Sequence, residues 1–387
     1  MGISRVMVLG FILMMMNISS LMGQKPIDSR ATKKTQNLLS YFNSITSKNF
    51  MFGHEDDQAY GIGWKAIEGR SDVKETSGKY PAVHGWDIGK RLDETNNIDS
   101  VNFENMKGWM IDAYKRGGVN TVSFHMDNFT TGSDSWDKTP SVKDILPNGA
   151  KHDAFNNQLK LIAEFFNDLK GAPVVFRPWH EHNGDWFWWG KGNCLEEEYI
   201  QLYRYTVDYL KDTLDVHNVL YAFSPDRSRW NINKNAIENY HYGYPGDDYV
   251  DIIGLDDYKD VGKLGIGISL ESQNKDFVKS LSLISSIAKD KGKVAALTET
   301  GLENLGRNDW FTNSILNPIK KNKQDINIAW VLVWRNRDEL HHYAPYKGHP
   351  TVPDFIAFEK DEMTLFESDL KRKAYKKPKH TKVRNQK

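Results

Sequence analysis

The sequence predicts an α/β protein, a single (β/α)8 TIM barrel, and three observations predict it. Short apolar, β-rich runs alternate with longer amphipathic stretches eight times along the chain. Polar and aromatic residues gather at the C-terminal end of nearly every run. No glycine-rich nucleotide fingerprint follows the first run, which counts against the alternative of an open doubly wound sheet. Strands that are apolar on both faces and separated by helices belong to a parallel sheet covered by helices, and eight such units suggest closure into a barrel.

In chain order the candidate strands are 51–54, 82–86, 120–125, 173–178, 219–223, 250–255, 294–298 and 328–334. Between them, 104–115, 155–169, 195–214, 276–289 and 310–317 carry apolar residues at three and four spacing, the mark of helices with one buried face. The strand ends present His54 and Glu55, Trp86 and Asp87, His125, His180 and Glu181, Asp226, Asp256 to Tyr258, Glu299, and Trp334 to Asn336. In a barrel these ends form one rim, where catalytic groups sit.

The chain has 387 residues and 39% hydrophobic content, enough for a full-sized core. Its 51 basic and 51 acidic residues exert no long-range pull on nucleic acid or an anionic surface, so a neutral substrate suits it. Residues 1–23 read as a signal peptide: Arg5, an apolar run over 6–16 too short to span a bilayer, and small residues at Ser20 and Gly23. Export to the periplasm or medium is expected, without stable membrane insertion once the signal is removed. Cys194 is the sole cysteine, so no intrachain disulfide forms and packing must supply stability. Residues 24–370 contain no linker or composition shift and read as one catalytic domain, expected to be monomeric. Residues 371–387 hold no acid and read as a basic, disordered tail.

The segment from Phe176 to Gly190 packs a strand end, Glu181, two imidazoles and four tryptophans into a short span, a density hard to explain as core. A glutamate buried against aromatic surface has its ionised form disfavoured and holds a proton near neutral pH, as a general acid must. Glu299 ends the apolar run of the seventh strand. With Glu181 on strand four, the two converge across the barrel mouth, and a separation near ~5 Å would make glycoside hydrolysis retaining.

Here the motifs resemble glycoside hydrolase family 26, whose best-known members are β-1,4-mannanases. The resemblance is carried by Arg177-Pro178-Trp179-His180-Glu181 with Asn183-Gly184-Asp185-Trp186-Phe187-Trp188-Trp189-Gly190, and by Thr298-Glu299-Thr300-Gly301. It is supported by Phe52-Gly53-His54-Glu55, Gly85-Trp86-Asp87, Ser123-Phe124-His125, Gly254-Leu255-Asp256-Asp257-Tyr258 and Val333-Trp334-Arg335-Asn336. The resemblance implies that Glu181 is the acid/base and Glu299 the nucleophile, that His180 hydrogen-bonds the reacting sugar, and that Tyr258 holds the nucleophile. It implies further that Trp186, Trp334 and Trp136 are platforms for pyranose faces, that His125, Arg335 and Asp257 read hydroxyls, and that Arg177 orients Glu299. No cofactor or metal is implied, and the expected partner is a polysaccharide or oligosaccharide such as mannan or galactomannan.

A zinc hydrolase is the first rival, but His180 and His182 are two apart at a strand end, whereas the helical zinc motif separates its histidines by three residues. A catalytically silent carbohydrate-binding barrel would have lost a carboxylate, and both are present. Within the family, β-glucanases and β-1,3-xylanases are the remaining alternatives. The loops 127–151 and 259–273 are the candidate walls that decide between mid-chain and terminal attack.

Overall fold

The computed structural model describes residues 24–377. Eight parallel strands close on themselves: β1 Phe50–Glu55, β2 Val83–Asp87, β3 Val119–Ser123, β4 Val174–Arg177, β5 Val219–Phe223, β6 Ile252–Asp257, β7 Val294–Thr300 and β8 Ile328–Val333. Each pairs with its successor, and β8 returns to β1 with Met51 opposite Trp330 and His54 opposite Val333. A two-residue strand, Thr364–Leu365, pairs in parallel with the start of β1, and a small hairpin, Tyr60–Gly61 with Trp64–Lys65, stands on the loop after it.

The helices are set by ordinary local signals. Phe103–Arg116 buries Phe103, Met106, Met110 and Ala113 on one face, begins where the Asn102 side chain accepts from the Asn105 amide, and stops at Gly117 with φ 112°. Leu270–Lys291 is capped in the same manner by Ser269 and Gly292. The predicted 195–214 helix is α-helical over Glu196–Asp208 and then widens to a π turn over Tyr209–Thr213. No helix among the described residues is long and apolar enough to cross a membrane.

Inside the barrel, alternation along each strand sorts the side chains into a lower apolar half and an upper polar half. Met51, Val83, Val119, Val175, Leu220, Ile252, Val294 and Trp330 share the lower core. The helix Lys33–Ile45, unanticipated from sequence, closes it from below with Leu38, Leu39, Phe42 and Ile45; Phe42 lies 5.2 Å from Trp330 between ring centroids. Two or four residues further along the same strands come Glu55, Asp87, Ser123, Arg177, Asp256 and Thr298, all buried. Gly85 leaves the space that Glu55 fills, since a Cβ there would overlap the Glu55 carboxylate.

The start of the predicted tail is folded. Ala374 is buried in the lower core, the Tyr375 hydroxyl donates to the Gly118 carbonyl at 2.5 Å, and its ring sits edge-on to Tyr114. The expected signal peptide and residues 378–387 lie outside the described residues.

Candidate active site

Glu299 reaches the barrel mouth because β7 carries an extra residue. Leu255 stands opposite Leu297, but the next pair is Asp256 with Glu299, so Thr298 is unmatched; the shift recurs on the β8 side. Such a bulge re-aims the side chain that follows it. Thr298 still faces the barrel interior, donating to Asp256 at 2.6 Å, and Glu299 projects above it.

Two residues then hold the Glu299 carboxylate. The Tyr258 hydroxyl donates to Oε2 at 3.0 Å, and Arg177 Nη2 donates to Oε1. Arg177 also donates through Nη1 to both oxygens of Asp256, at 3.0 and 3.1 Å. Sequence reasoning placed Arg177 correctly but did not find Asp256 as its second partner. Burial pushes Asp256 up to about 8, with Arg177 opposing the shift and Glu299 adding to it. Burial likewise raises the Tyr258 phenol well above its ordinary range, so it remains a donor at neutral pH.

Glu181 follows β4 on a backbone that enters the left-handed region twice, at Trp179 (φ 56°) and at Glu181 itself (φ 54°). Each such residue costs roughly 1–3 kcal/mol and persists only where the surroundings hold it. Here Trp179 is fully buried and gives its indole N–H to Thr206 at 3.0 Å, Tyr199 donates to its carbonyl, and the Glu181 amide donates to the Ser224 carbonyl at 2.8 Å. Three of the four tryptophans are therefore core after all: Trp179, Trp188 and Trp189 brace the loop, and Trp186 alone turns to the cleft. Trp186 Nε1 donates to Glu181 Oε2 at 2.8 Å. Burial first, then the charges of Asp226, Asp256 and Glu299, raise the Glu181 carboxyl well above the usual range, while the Trp186 bond works against them.

One carboxylate oxygen from each of Glu181, Asp256 and Glu299 lies within 4.8 Å of the other two. That closeness matches the narrow spacing of double-displacement glycosidases rather than the ~6.5–9.5 Å that leaves room for an attacking water. Three clustered acids also resemble a cation site, but the Arg177 guanidinium already bonds two of them, Asp256 and Glu299.

A cleft of about 350 Å³ surrounds both glutamates and brings in His125, His180, Trp136, Trp186, Tyr258 and Trp334. His125 bonds Asp87 at 2.6 Å through Nδ1; burial disfavours its cation, but Asp87 outweighs burial and raises its pKa. Burial and the neighbouring His125 and Arg177 charges press His180 well below its usual value, and its Nδ1 has no protein partner. Trp136, 49% exposed, stacks on His125 at 5.4 Å and 16°. The opposite wall is polar: Lys263 comes from the 259–273 stretch expected to form a wall, while Tyr343 and the His341–Glu303 pair at 2.7 Å were not anticipated from sequence.

Two expected contacts fall elsewhere. Asp257 points away from the cleft and accepts from the Lys259 and Asp260 amides at 3.0 Å. Strand alternation explains this, since its neighbour Asp256 takes the inward position. Arg335 pairs with Asp99 and lines an adjoining cavity of about 720 Å³ between the loops after β1, β2 and β8. Although larger than the cleft, that cavity has Asp99 as its one lining carboxylate and cannot supply an acid and a nucleophile.

Residues 27–336 match the family described as Glycosyl hydrolase family 26. The chain belongs to that family. It is 33% identical over 362 residues to a mannan endo-1,4-beta-mannosidase of Bifidobacterium adolescentis, covering 88% of this chain but 35% of that protein. A Bacillus subtilis protein of the same name is 30% identical over 266 residues, 65% of this chain and 70% of its own length. Among solved structures, a GH26 beta-mannanase from Bacteroides ovatus superimposes with a TM-score of 0.82 at 38% identity, covering 90% of this chain and 99% of that one. A modular endo-beta-1,4-mannanase from Cellulomonas fimi gives 0.82 at 34% identity, over 92% and 80%.

Proposed function

We propose that this protein is a retaining endo-β-mannanase that cleaves β-1,4-mannosidic linkages in mannan, galactomannan or glucomannan. The observation that carries the proposal is the pair of close carboxylates, Glu181 and Glu299, in opposite electrostatic settings within one cleft. The names of the relatives in the same family supply the substrate class.

In the first step a Glu299 oxygen attacks the anomeric carbon, the bond to the glycosidic oxygen breaks, and that oxygen takes the proton of Glu181. Arg177 and Tyr258 fix the rotamer of Glu299, and the raised Glu181 carboxyl carries the proton at neutral pH. The Glu299 charge is one of those that raise Glu181. Esterification removes that charge, so the pKa of Glu181 falls once it has lost its proton, and it becomes fit to act as a base. In the second step water attacks the anomeric carbon, Glu181 takes its proton, and the ester bond to Glu299 breaks. His180, held neutral, and His125, fixed by Asp87, face the reacting sugar, with Trp136, Trp186 and Trp334 offering flat surface for pyranose faces.

The test is hydrolysis of galactomannan, linear mannan, barley β-glucan and β-1,3-xylan by the wild type, Glu181→Ala and Glu299→Ala, with the first-formed anomer read by NMR. Mannan cleavage giving the β-anomer, with losses of about 10²–10⁴-fold or more in both variants, is the expected result. Preference for barley glucan or xylan would reassign the substrate, an α-anomer would refute retention, and mannan binding without cleavage would leave a carbohydrate-binding barrel. We also propose export, on the strength of residues 1–23; an intact N-terminus on protein recovered from the cytoplasm alone would overturn it.

A further inference from the structure

The polar layer at the base of the cleft contains one acid that the reaction described above does not use. Glu55, the last residue of β1, is 2% exposed and turns into the barrel. Its Oε2 lies over the bare backbone of Gly85, beside Leu332. Its Oε1 is buried and has no hydrogen-bond partner among the described residues.

The groups around it are already engaged. β2 brings Asp87, which bonds His125 at 2.6 Å and accepts from the Ser123 hydroxyl at 2.5 Å. β4 brings Arg177, whose Nη1 serves Asp256 of β6 and whose Nη2 serves Glu299 of β7. β8 presents Leu332, which carries no charge, and beyond the end of β1 itself Asp56 accepts from the Tyr60 hydroxyl at 2.6 Å. A carboxylate in this setting would be a buried anion without a cation of its own, a cost that proteins avoid by keeping the proton. Burial, and then the charges of Asp56, Glu299 and Asp87, accordingly push the Glu55 carboxyl well above its ordinary range, while Arg177 opposes them.

We propose that Glu55 is a positioning residue for the nucleophile: it keeps a proton at the base of the cleft and, being neutral, leaves the Arg177 guanidinium to Glu299 and Asp256. The proposal rests on the hydrolase reading given above. An ionised Glu55 would draw Arg177 toward itself and repel Glu299, so the placement of the nucleophile depends on a proton that never enters the reaction. The alkaline loss of activity then has two sources. Glu181 loses the proton it must donate, and Glu55 loses the one that keeps Arg177 in place.

The experiment measures kcat and KM on mannohexaose across pH for the wild type, Glu55→Ala and Glu55→Gln. In parallel, infrared difference spectra compare the wild type with Glu55→Gln at pH 7, since the amide has the size of the acid and stays neutral throughout. The expected spectrum shows a protonated-carboxyl band in the wild type that the variant lacks. Glu55→Ala should lower kcat about 10- to 100-fold with little change in KM, and Glu55→Gln should restore it to within about threefold at pH 7. The alkaline limb of the wild type should report about two protons, and that of Glu55→Gln about one, at higher pH.

A spectrum without the band shows an ionised Glu55 and overturns the proposal. So does a Glu55→Gln variant that melts like the wild type yet is as slow as Glu55→Ala, because the charge is then what matters. An alkaline limb identical in the wild type and Glu55→Gln overturns it too, leaving Glu55 a packing residue. A one-proton limb in the wild type does the same without recourse to any variant. All four leave the hydrolase reading standing, whereas a wild type that cleaves no mannan overturns that reading and the role of Glu55 with it.

Discussion

Replacing Trp186 with phenylalanine isolates the hydrogen bond that the indole makes to the acid. The ring surface for sugar contact is largely kept, but the 2.8 Å donor to Glu181 Oε2 is lost. While Glu181 is protonated this is a bond between neutral groups, worth about 1 kcal/mol, and as the proton leaves it becomes charge-assisted, worth roughly 1.5–3 kcal/mol. The difference, about 0.5–2 kcal/mol, is realised only in the transition state, and it corresponds to roughly a 2- to 30-fold fall in kcat/KM on mannan. A dinitrophenyl mannobioside needs no proton on its departing phenolate, so most of that loss should vanish with it. The pH profile supplies a second reading. The Trp186 bond lowers the Glu181 pKa against burial and its acidic neighbours, so removing it raises that pKa further. Activity needs Glu181 protonated in the free enzyme, hence the alkaline limb of kcat/KM should move to higher pH. Equal losses on both substrates, or an alkaline limb that moves down, would refute the assignment of Trp186 and with it the role of Glu181.

Tyr258→Phe removes a donor to the Glu299 carboxylate, a charged acceptor, and should lower kcat/KM on mannan roughly 10- to 100-fold with little change in melting temperature. A matching loss of thermal stability would point to a structural role instead. Phe42→Ala opens a void where the basal helix meets Trp330 and should cost about 3–5 kcal/mol in urea unfolding, while kcat/KM of the folded fraction stays near wild type.

All eight strands were legible, because fully buried parallel strands leave continuous apolar runs and their polar ends stand out. The basal helix was missed although Leu38, Leu39, Phe42 and Ile45 carry a helical spacing, since its function, closing the barrel floor, becomes visible only once a barrel exists. Residue types, strand position and the family resemblance singled out Glu181, Glu299, His125, His180, Trp186, Tyr258 and Trp334, and the structure places all of them around one cleft. The tryptophans of the acid/base loop were over-read, because density of aromatics does not distinguish a platform from a brace. Asp257 was chosen over Asp256 for want of the strand phase, and Arg335 departed because its partner, Asp99, sits on an irregular loop far away in sequence. Of the polar wall, only the loop carrying Lys263 was legible; Glu303 and His341 left no sequence signal, since the wall is assembled from three separate loops.

The unmatched residue in β7 has a bearing on how this site can change. In an even strand the position after Thr298 belongs to the outer face, among the helices, so the nucleophile occupies its place only by virtue of a phase slip. Point substitutions at Glu299 alter chemistry and leave the slip alone. Deletion of Thr298 would instead remove the slip and seat the glutamate in the inward position that Thr298 holds beside Asp256, deeper in a barrel that is still closed. Loop changes can thus alter which sugar enters the cleft, while the placement of the nucleophile is tied to a counting irregularity that an insertion or deletion, far more than a substitution, would erase.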